Sequence, residues 1–247
     1  MTEALDLRLR RLAEKSRKAS APPLEAVWQE IADRPAARPD SLAISLAGQF
    51  LQGEELTALT CTALRDRLPL ASARACLALQ GKDEHRHAAL YRRYLETRGD
   101  RPEAASLLAP AAERFLAWQG PPEAILLALH VIIEGEALAF QEQARHYTHC
   151  PSFAALSRLV AADEARHVAF GRIYLPDALR ALTPSEKQRI HKWLRALWFE
   201  CSERLPQVLP RPWLARFVTR RWTERRWDHW QGELAELGLH TGSAAPR

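Results

Sequence analysis

The stretch Asp83-Glu84-His85-Arg86-His87-Ala88-Ala89-Leu90-Tyr91-Arg92-Arg93-Tyr94-Leu95 returns 80 positions later as Asp163-Glu164-Ala165-Arg166-His167-Val168-Ala169-Phe170-Gly171-Arg172-Ile173-Tyr174-Leu175, with eight of thirteen positions identical. Each copy contains Glu-x-x-His, and the same offset of 80 carries Glu54 onto Glu134. Each of these two Glu residues precedes its Glu-x-x-His by 30 positions. Residues three apart share one face of an α-helix, so Glu84 with His87, and Glu164 with His167, can each chelate one metal. Glu54 and Glu134, from two further helices, can bridge or cap the pair. Together they make up the inventory of a carboxylate-bridged dimetal site in a four-helix bundle.

Hard carboxylate oxygens with a few imidazoles suit iron or manganese better than thiolate-preferring metals. Charge agrees: two divalent ions balance four carboxylates, whereas each unpaired carboxylate in a core costs several kcal/mol. Glu134 directly follows the apolar run Leu126 to Ile133, where an unpaired charge has no place. Glu55 stands beside Glu54 and leaves the first ligand open between the two, with the 80-residue offset favouring Glu54.

Around these six metal candidates lie several neighbours. Asp83 and Asp163 each precede a metal Glu and can accept the outer ring N–H of a ligand His on a neighbouring helix; pairing with Arg86 or Arg166 is the alternative. Tyr91, one turn after His87, is a candidate redox-active residue or gate, or an ordinary core tyrosine. Its counterpart Gly171 leaves room for substrate. Gln80 and His130, each four residues before a metal Glu, are weaker pocket candidates. Helical phase predicts pocket walls at Phe50, Ala58, Leu127, Ala137 and Phe170, all apolar, and hence a hydrophobic or acyl-type substrate.

At 247 residues the chain can bury a full core as one domain. Scarce Gly, abundant Ala, Leu, Arg and Glu, and few β-branched runs favour an all-α fold. We divide it into a basic N-terminal helical extension (1–40), a dimetal four-helix bundle (41–182), basic Trp-rich C-terminal helices packed on the bundle (183–240) and a disordered tail (241–247). Bundle helices are expected over 41–66, 72–98, 122–147 and 152–181, the last kinked at Pro176, with a crossover helix over 103–118. Short helices are expected over 1–19 and 24–31. The capping box Thr183-Pro184-Ser185-Glu186 opens a helix to about residue 203. A linker broken by Pro206, Pro210 and Pro212 then leads to a last helix over 213–237.

The longest apolar segment, Ala124 to Ile133, is about half a membrane span, and no export signal is evident, so a cytoplasmic location with reduced thiols at Cys61, Cys76, Cys150 and Cys201 is expected. From Lys187 to Arg226 there are eleven Lys or Arg against three Glu. Such a surface suits an acidic partner, for example an acyl carrier protein or a redox partner; a solvated helix face is the bland reading. Trp193, Trp198, Trp213, Trp222, Trp227 and Trp230 crowd the same region, with Arg stems laid along them.

Val131-Ile132-Ile133-Glu134-Gly135 and Asp163-Glu164-Ala165-Arg166-His167-Val168-Ala169-Phe170-Gly171 resemble the third and fourth helices of ferritin-like dimetal proteins, above all the ribonucleotide reductase small subunit and the ligand-binding oxidases related to it. Gly53-Glu54-Glu55 resembles the first metal helix of those oxidases and supports Glu54. The resemblance covers about residues 45–178. It implies a ferritin-like bundle holding two irons or a Mn/Fe pair, which activates O2 to oxidise a small organic substrate. It also implies an external electron donor, a ferredoxin or reductase; a homodimer is open. Tyr91 has the spacing from His87 that the radical tyrosine has in the reductase subunit. Departures are present too. Leu129 stands where the oxidases carry a crosslinking tyrosine, and Val160 where arylamine N-oxygenases carry a further His. Ferroxidase or storage activity, as in ferritins, and a tRNA-hydroxylase-like activity are the alternatives; nucleic acid is the less favoured partner.

Overall fold

The computed structural model describes residues 2–19, 23–32, 40–99, 106–208, 216 and 218–240. Four long helical segments form the bundle: α3 (Ser41–Arg65), α4 (Ala71–Thr97), a third segment and α8 (Pro151–Arg180). The third consists of α6 (Glu123–Leu127), a π-helical stretch Ala128–Ile133 and α7 (Glu134–Tyr147). Short helices α1 (Glu3–Lys18) and α2 (Leu24–Ala32) precede the bundle, α5 (Ala109–Ala117) serves the crossover, and α9 (Pro184–Val208) and α10 (Arg220–Glu236) follow.

Local chemistry sets most of the boundaries. Asp40 caps α3 by accepting the Leu42 and Ala43 N–H groups at 3.0 and 3.3 Å. Gly99, at φ +67°, closes α4 in the left-handed conformation that glycine adopts without a Cβ penalty. At α9 the capping box forms in full: Glu186 Oε2 accepts the Thr183 N–H at 2.8 Å, and Thr183 Oγ1 accepts the Glu186 N–H at 3.2 Å. α1 lays Leu5, Leu9 and Ala13 into the core that the bundle shares with Trp227 and Trp230 of α10, so both ends of the chain join one hydrophobic interior. The cations Arg8, Arg10 and Arg11 of α1 stay exposed. No helix among the described residues is long and apolar enough to cross a membrane.

Three boundary expectations are corrected. The crossover helix starts at Ala109, not 103; Pro110 lies in its first turn, where a missing N–H costs nothing. Residues 100–105 lie outside the described residues. α8 runs over Pro151–Arg180 with Pro176 inside it, close to the expected end at 181. α9 does not break at Pro206 but continues to Val208, because Leu205 and Val208 are buried and Ser45 Oγ donates to the Val208 carbonyl at 2.8 Å. α10 begins at Arg220, not 213, since Thr219 caps it by accepting the Trp222 N–H at 3.2 Å. Most of the expected linker, Trp213 and the tail from 241 lie outside the described residues. The π-helical stretch was not foreseen. The Glu134 N–H there reaches back five residues to the Leu129 carbonyl, a wider turn of the kind often found at functional sites.

Candidate metal centre

Glu54, Glu84, His87, Glu134, Glu164 and His167 converge in the middle of the bundle, all at most 7% exposed. Two overlapping clusters form, Glu54–Glu84–His87–Glu164 and Glu84–Glu134–Glu164–His167, each with its ligand atoms within 4.8 Å of one another. Glu84 and Glu164 belong to both. Glu84 turns Oε2 to His87 Nδ1 (3.3 Å) and Oε1 to His167 Nδ1 (3.2 Å). Glu164 does the same, Oε1 to His87 at 3.4 Å and Oε2 to His167 at 3.0 Å. Each central carboxylate therefore presents one oxygen to each half of the site, which is bridging geometry. Glu54 lies beside His87, and Glu134 belongs to the His167 cluster alone. Glu55 points out, half exposed, and pairs with Arg92 at 2.5 Å.

The outer imidazole nitrogens are held crosswise. His87 Nε2 meets Asp163 Oδ2 at 3.0 Å, and His167 Nε2 meets Asp83 Oδ2 at 3.4 Å. Arg86 and Arg166 brace both Asp side chains: Arg86 pairs with Asp163, and Arg166 contacts Asp163 at 2.5 Å and Asp83 at 3.4 Å. The two readings of Asp83 and Asp163, imidazole acceptor and Arg partner, thus hold at once. With the N–H on Nε2, each Nδ1 turns a lone pair towards the carboxylates.

Lone pairs facing carboxylates at 3.0–3.4 Å need positive charge between them. Without a metal the cluster must take up protons. Burial pushes Glu54 and Glu134 well above the usual carboxylate range. Burial alone would lower His87 and His167, but the facing carboxylates outweigh it and raise both. For Glu164 burial is outweighed by the two imidazoles, and its pKa is held low. Glu134 Oε2 is buried with no hydrogen-bond partner at all. Four acidic oxygen donors, two Nδ1 lone pairs and an orphaned carboxylate oxygen fit two hard divalent ions. The surrounding Asp83, Asp163, Arg86 and Arg166 cancel in charge.

Gln80 and His130 turn out to touch the cluster. Gln80 Nε2 donates to Glu84 Oε1 at 3.0 Å and to Glu134 Oε1 at 2.6 Å, and its Oε1 meets His130 Nε2 at 2.8 Å. Burial pushes His130 down to about 3, so it is neutral. Gly171 does not make room for substrate, because His130 occupies that space: a Cβ on Gly171 would meet the His130 Cβ at 2.6 Å. Tyr91 is fully buried, packs on Phe50 at 5.5 Å between ring centroids, and has burial raising its pKa well above the usual phenol range. That side chain faces core, not the cavity described next.

A cavity of about 160 Å³ descends to Glu54, Glu84, Glu134 and Glu164. Phe50 and Ala137 line it as expected; Ala58, Leu127 and Phe170 do not, since they are buried in the core and the opening lies between α3, α7 and α9. The far wall comes from residues that helical phase could not reveal, including Leu107 and Leu108 before α5, and Leu197, Trp198, Leu205 and Val208 of α9. Glu136 also lines it, but its Oε1 is taken up by Arg226 (2.6 Å) and Trp230 Nε1 (2.7 Å).

No family model and no curated protein matches the chain. Among solved structures, a mutant of an R2-like ligand-binding oxidase with anaerobically reconstituted Mn/Fe cofactor matches with a TM-score of 0.64 and 16% identity, covering 91% of this chain and 92% of that one. The likeness shows that the fold is an all-α, ferritin-like four-helix bundle.

Proposed function

We propose that the protein is a dimetal-carboxylate oxidase or oxygenase that uses O2 to oxidise a small, neutral, hydrophobic substrate. The observation that carries this is the pair of overlapping clusters sharing Glu84 and Glu164, one carboxylate oxygen turned to each imidazole. Glu54 and His87 would hold one ion, Glu134 and His167 the other, with Glu84 and Glu164 between them. Two irons, or manganese with iron as in the structural neighbour, would supply O2 reduction and a strong oxidant.

The chain's own contributions follow from its geometry. Asp163 and Asp83 hold the Nε2 protons of His87 and His167 and so keep each Nδ1 free for a metal. The apolar walls exclude water and orient a hydrophobic molecule against the carboxylate floor. Among the described lining residues there is no Lys, Arg or His to pair with an anionic substrate. A ferredoxin or reductase would bring electrons, and the exposed cations Lys192, Arg195, Arg221 and Arg225 offer an acidic partner a surface. A cavity that reaches the carboxylates favours an organic substrate over ferroxidase or storage activity.

The test is anaerobic reconstitution with ferrous iron, a metal count, and absorbance on adding O2. The expected result is two irons per chain and an O2-dependent absorption, both lost in Glu164→Ala and His167→Ala. A folded protein without stoichiometric metal would leave a helical scaffold and no oxidase.

A further inference from the structure

Within the repeat every residue at the centre is matched by its own kind 80 positions on: Glu54 and Glu134, Asp83 and Asp163, Glu84 and Glu164, Arg86 and Arg166, His87 and His167. The symmetry breaks one shell further out. Phe50 is matched by His130, Gln80 by Val160 and Tyr91 by Gly171. These three departures do not scatter. Gln80 and His130 meet each other at 2.8 Å beside Glu134, and Gly171 is the residue whose missing Cβ lets His130 lie there. Phe50 and Tyr91 pack on each other on the Glu54 side.

The two pockets therefore differ in how their outer carboxylates are held. Both hydrogens of the Gln80 amide are committed, one to Glu84 Oε1 and one to Glu134 Oε1. The amide oxygen lies 2.8 Å from His130 Nε2, and the ring is held from its other side by the Leu126 carbonyl 3.2 Å from Nδ1, so the amide is clamped between the imidazole and the two carboxylates. Glu134 is left with Oε2, buried and unpartnered, as the one oxygen free for a cation. Glu54 has no such brace among the described residues; its carboxylate meets His87 Nδ1 at 3.4 Å, a nitrogen that itself faces the metal position. A ligand already fixed in place loses less freedom on binding than one that must be ordered.

We propose that Gln80 and His130 are positioning residues that make the two metal pockets unequal: by holding Glu134 through one oxygen they pre-form the Glu134–His167 pocket, which takes its ion before the Glu54–His87 pocket. The inference rests on the dimetal reading and adds an order of filling to it. The amide also draws Glu84 and Glu134 together, so the pocket keeps its shape while the partner pocket is still unfilled.

Titration of metal-free protein with Mn(II) under argon, followed by electron paramagnetic resonance, separates single ions from coupled pairs. At one equivalent the wild type should show the six-line signal of isolated Mn(II), and the coupled signal should grow only with the second equivalent. Gln80→Val and His130→Phe each install the residue found at the equivalent position of the other repeat. Either should cut the ratio of the two dissociation constants by at least about tenfold, with coupled pairs already abundant at one equivalent. Glu134→Gln should abolish the tight first step, whereas Glu54→Gln should leave it. Pockets that fill together in the wild type, an unchanged ratio in the folded Gln80 and His130 variants, or loss of the first step in Glu54→Gln instead would each overturn the proposal. Fewer than two Mn(II) per wild-type chain would overturn the dimetal reading itself, which keeps the two failures apart.

Discussion

The floor of the cavity and its wall are built on different rules. On the floor, four carboxylates and two imidazoles from four helical segments form two overlapping clusters that share Glu84 and Glu164. The wall, contributed mainly by α3, α7, α9 and the residues before α5, is mostly apolar and held mainly by packing, alongside the Ser45–Val208 and Leu107–Gln49 hydrogen bonds. A floor of this kind is a ledger of charge in which every proton or metal ion counts. A wall tolerates change of shape as long as volume and apolarity persist. Substitutions should therefore split cleanly, floor variants acting on metal and stability, wall variants on substrate.

Metal removal should show the largest effect. At a hundredfold excess over the dissociation constant each bound ion adds about 2.7 kcal/mol, so two ions add about 5 kcal/mol. For a chain of this size that corresponds to a melting temperature about 10–20 °C higher with metal than after chelation, read by calorimetry. A shift of one or two degrees would mean that the floor carries no tightly held ions.

Protons give the next largest effect. In the metal-free floor Glu54, Glu134, His87 and His167 are all raised above their ordinary values, so each favours its protonated form. Four leaving protons match the charge of two arriving divalent ions, so loading should release up to four protons per chain. The sign for stability follows. Raised Glu and His values stabilise the folded metal-free protein below the unfolded values of 4.5 and 6.5 and lose that contribution as pH climbs through the folded ones. The lowered Glu164 acts oppositely, contributing above 4.5 and losing its contribution as pH falls. Metal-free protein should thus be most stable in mild acid. Metal affinity should rise with pH by up to about a hundredfold per unit for two protons per ion, measurable by calorimetry in buffers of different ionisation enthalpy.

The same contrast explains what could be read from the chain itself. Charge and helical period tie Glu54, Glu84, His87, Glu134, Glu164 and His167 to fixed offsets of 3, 30 and 80 residues, so the floor was visible before any fold was known. The crosswise Asp83 and Asp163 contacts were visible for the same reason. Three things were hidden. The π-helical turn carries His130 against Gly171, a contact between helices that no local propensity encodes. Gln80 could be placed near the floor by its spacing, but its two carboxylate partners sit on separate helices. Finally, Leu197, Leu205 and Val208 reach the wall only because α9 folds back over the bundle and runs past Pro206. Helical phase inside the bundle says nothing about a helix outside it, which is why Ala58, Leu127 and Phe170 were assigned to a wall they do not form.

Within the floor, the Asp pair offers a smaller and more local break. Asp163→Asn should weaken the ion at His87, and Asp83→Asn the ion at His167, each by about 10- to 100-fold, because an amide can present its NH2 to Nε2 and shift the imidazole proton to Nδ1. The shorter contact of Asp163 (3.0 Å against 3.4 Å) makes its variant the more severe of the two. Single-ion dissociation constants from the same Mn(II) titration measure both. Equal losses at both pockets from either variant would mean that the crosswise pairing is not what orients the rings.

The wall gives the smallest expected change and the sharpest contrast. Ala137 stands three residues after Glu134, lines the cavity and carries no polar atom beyond its backbone. Ala137→Leu adds three carbons near the carboxylate end of a space of about 160 Å³. Metal count, proton release and melting temperature should stay at wild-type values, since Ala137 supplies no ligand atom and its side chain makes no hydrogen bond to one. Affinity for a hydrophobic substrate or probe should fall by roughly tenfold, the scale on which one or two methylenes are discriminated in an apolar pocket. Loss of metal in this variant would show that wall and floor are coupled, and that the cavity's shape helps hold Glu134 in place. Unchanged binding would place the substrate elsewhere and leave the cavity as a route for O2 alone.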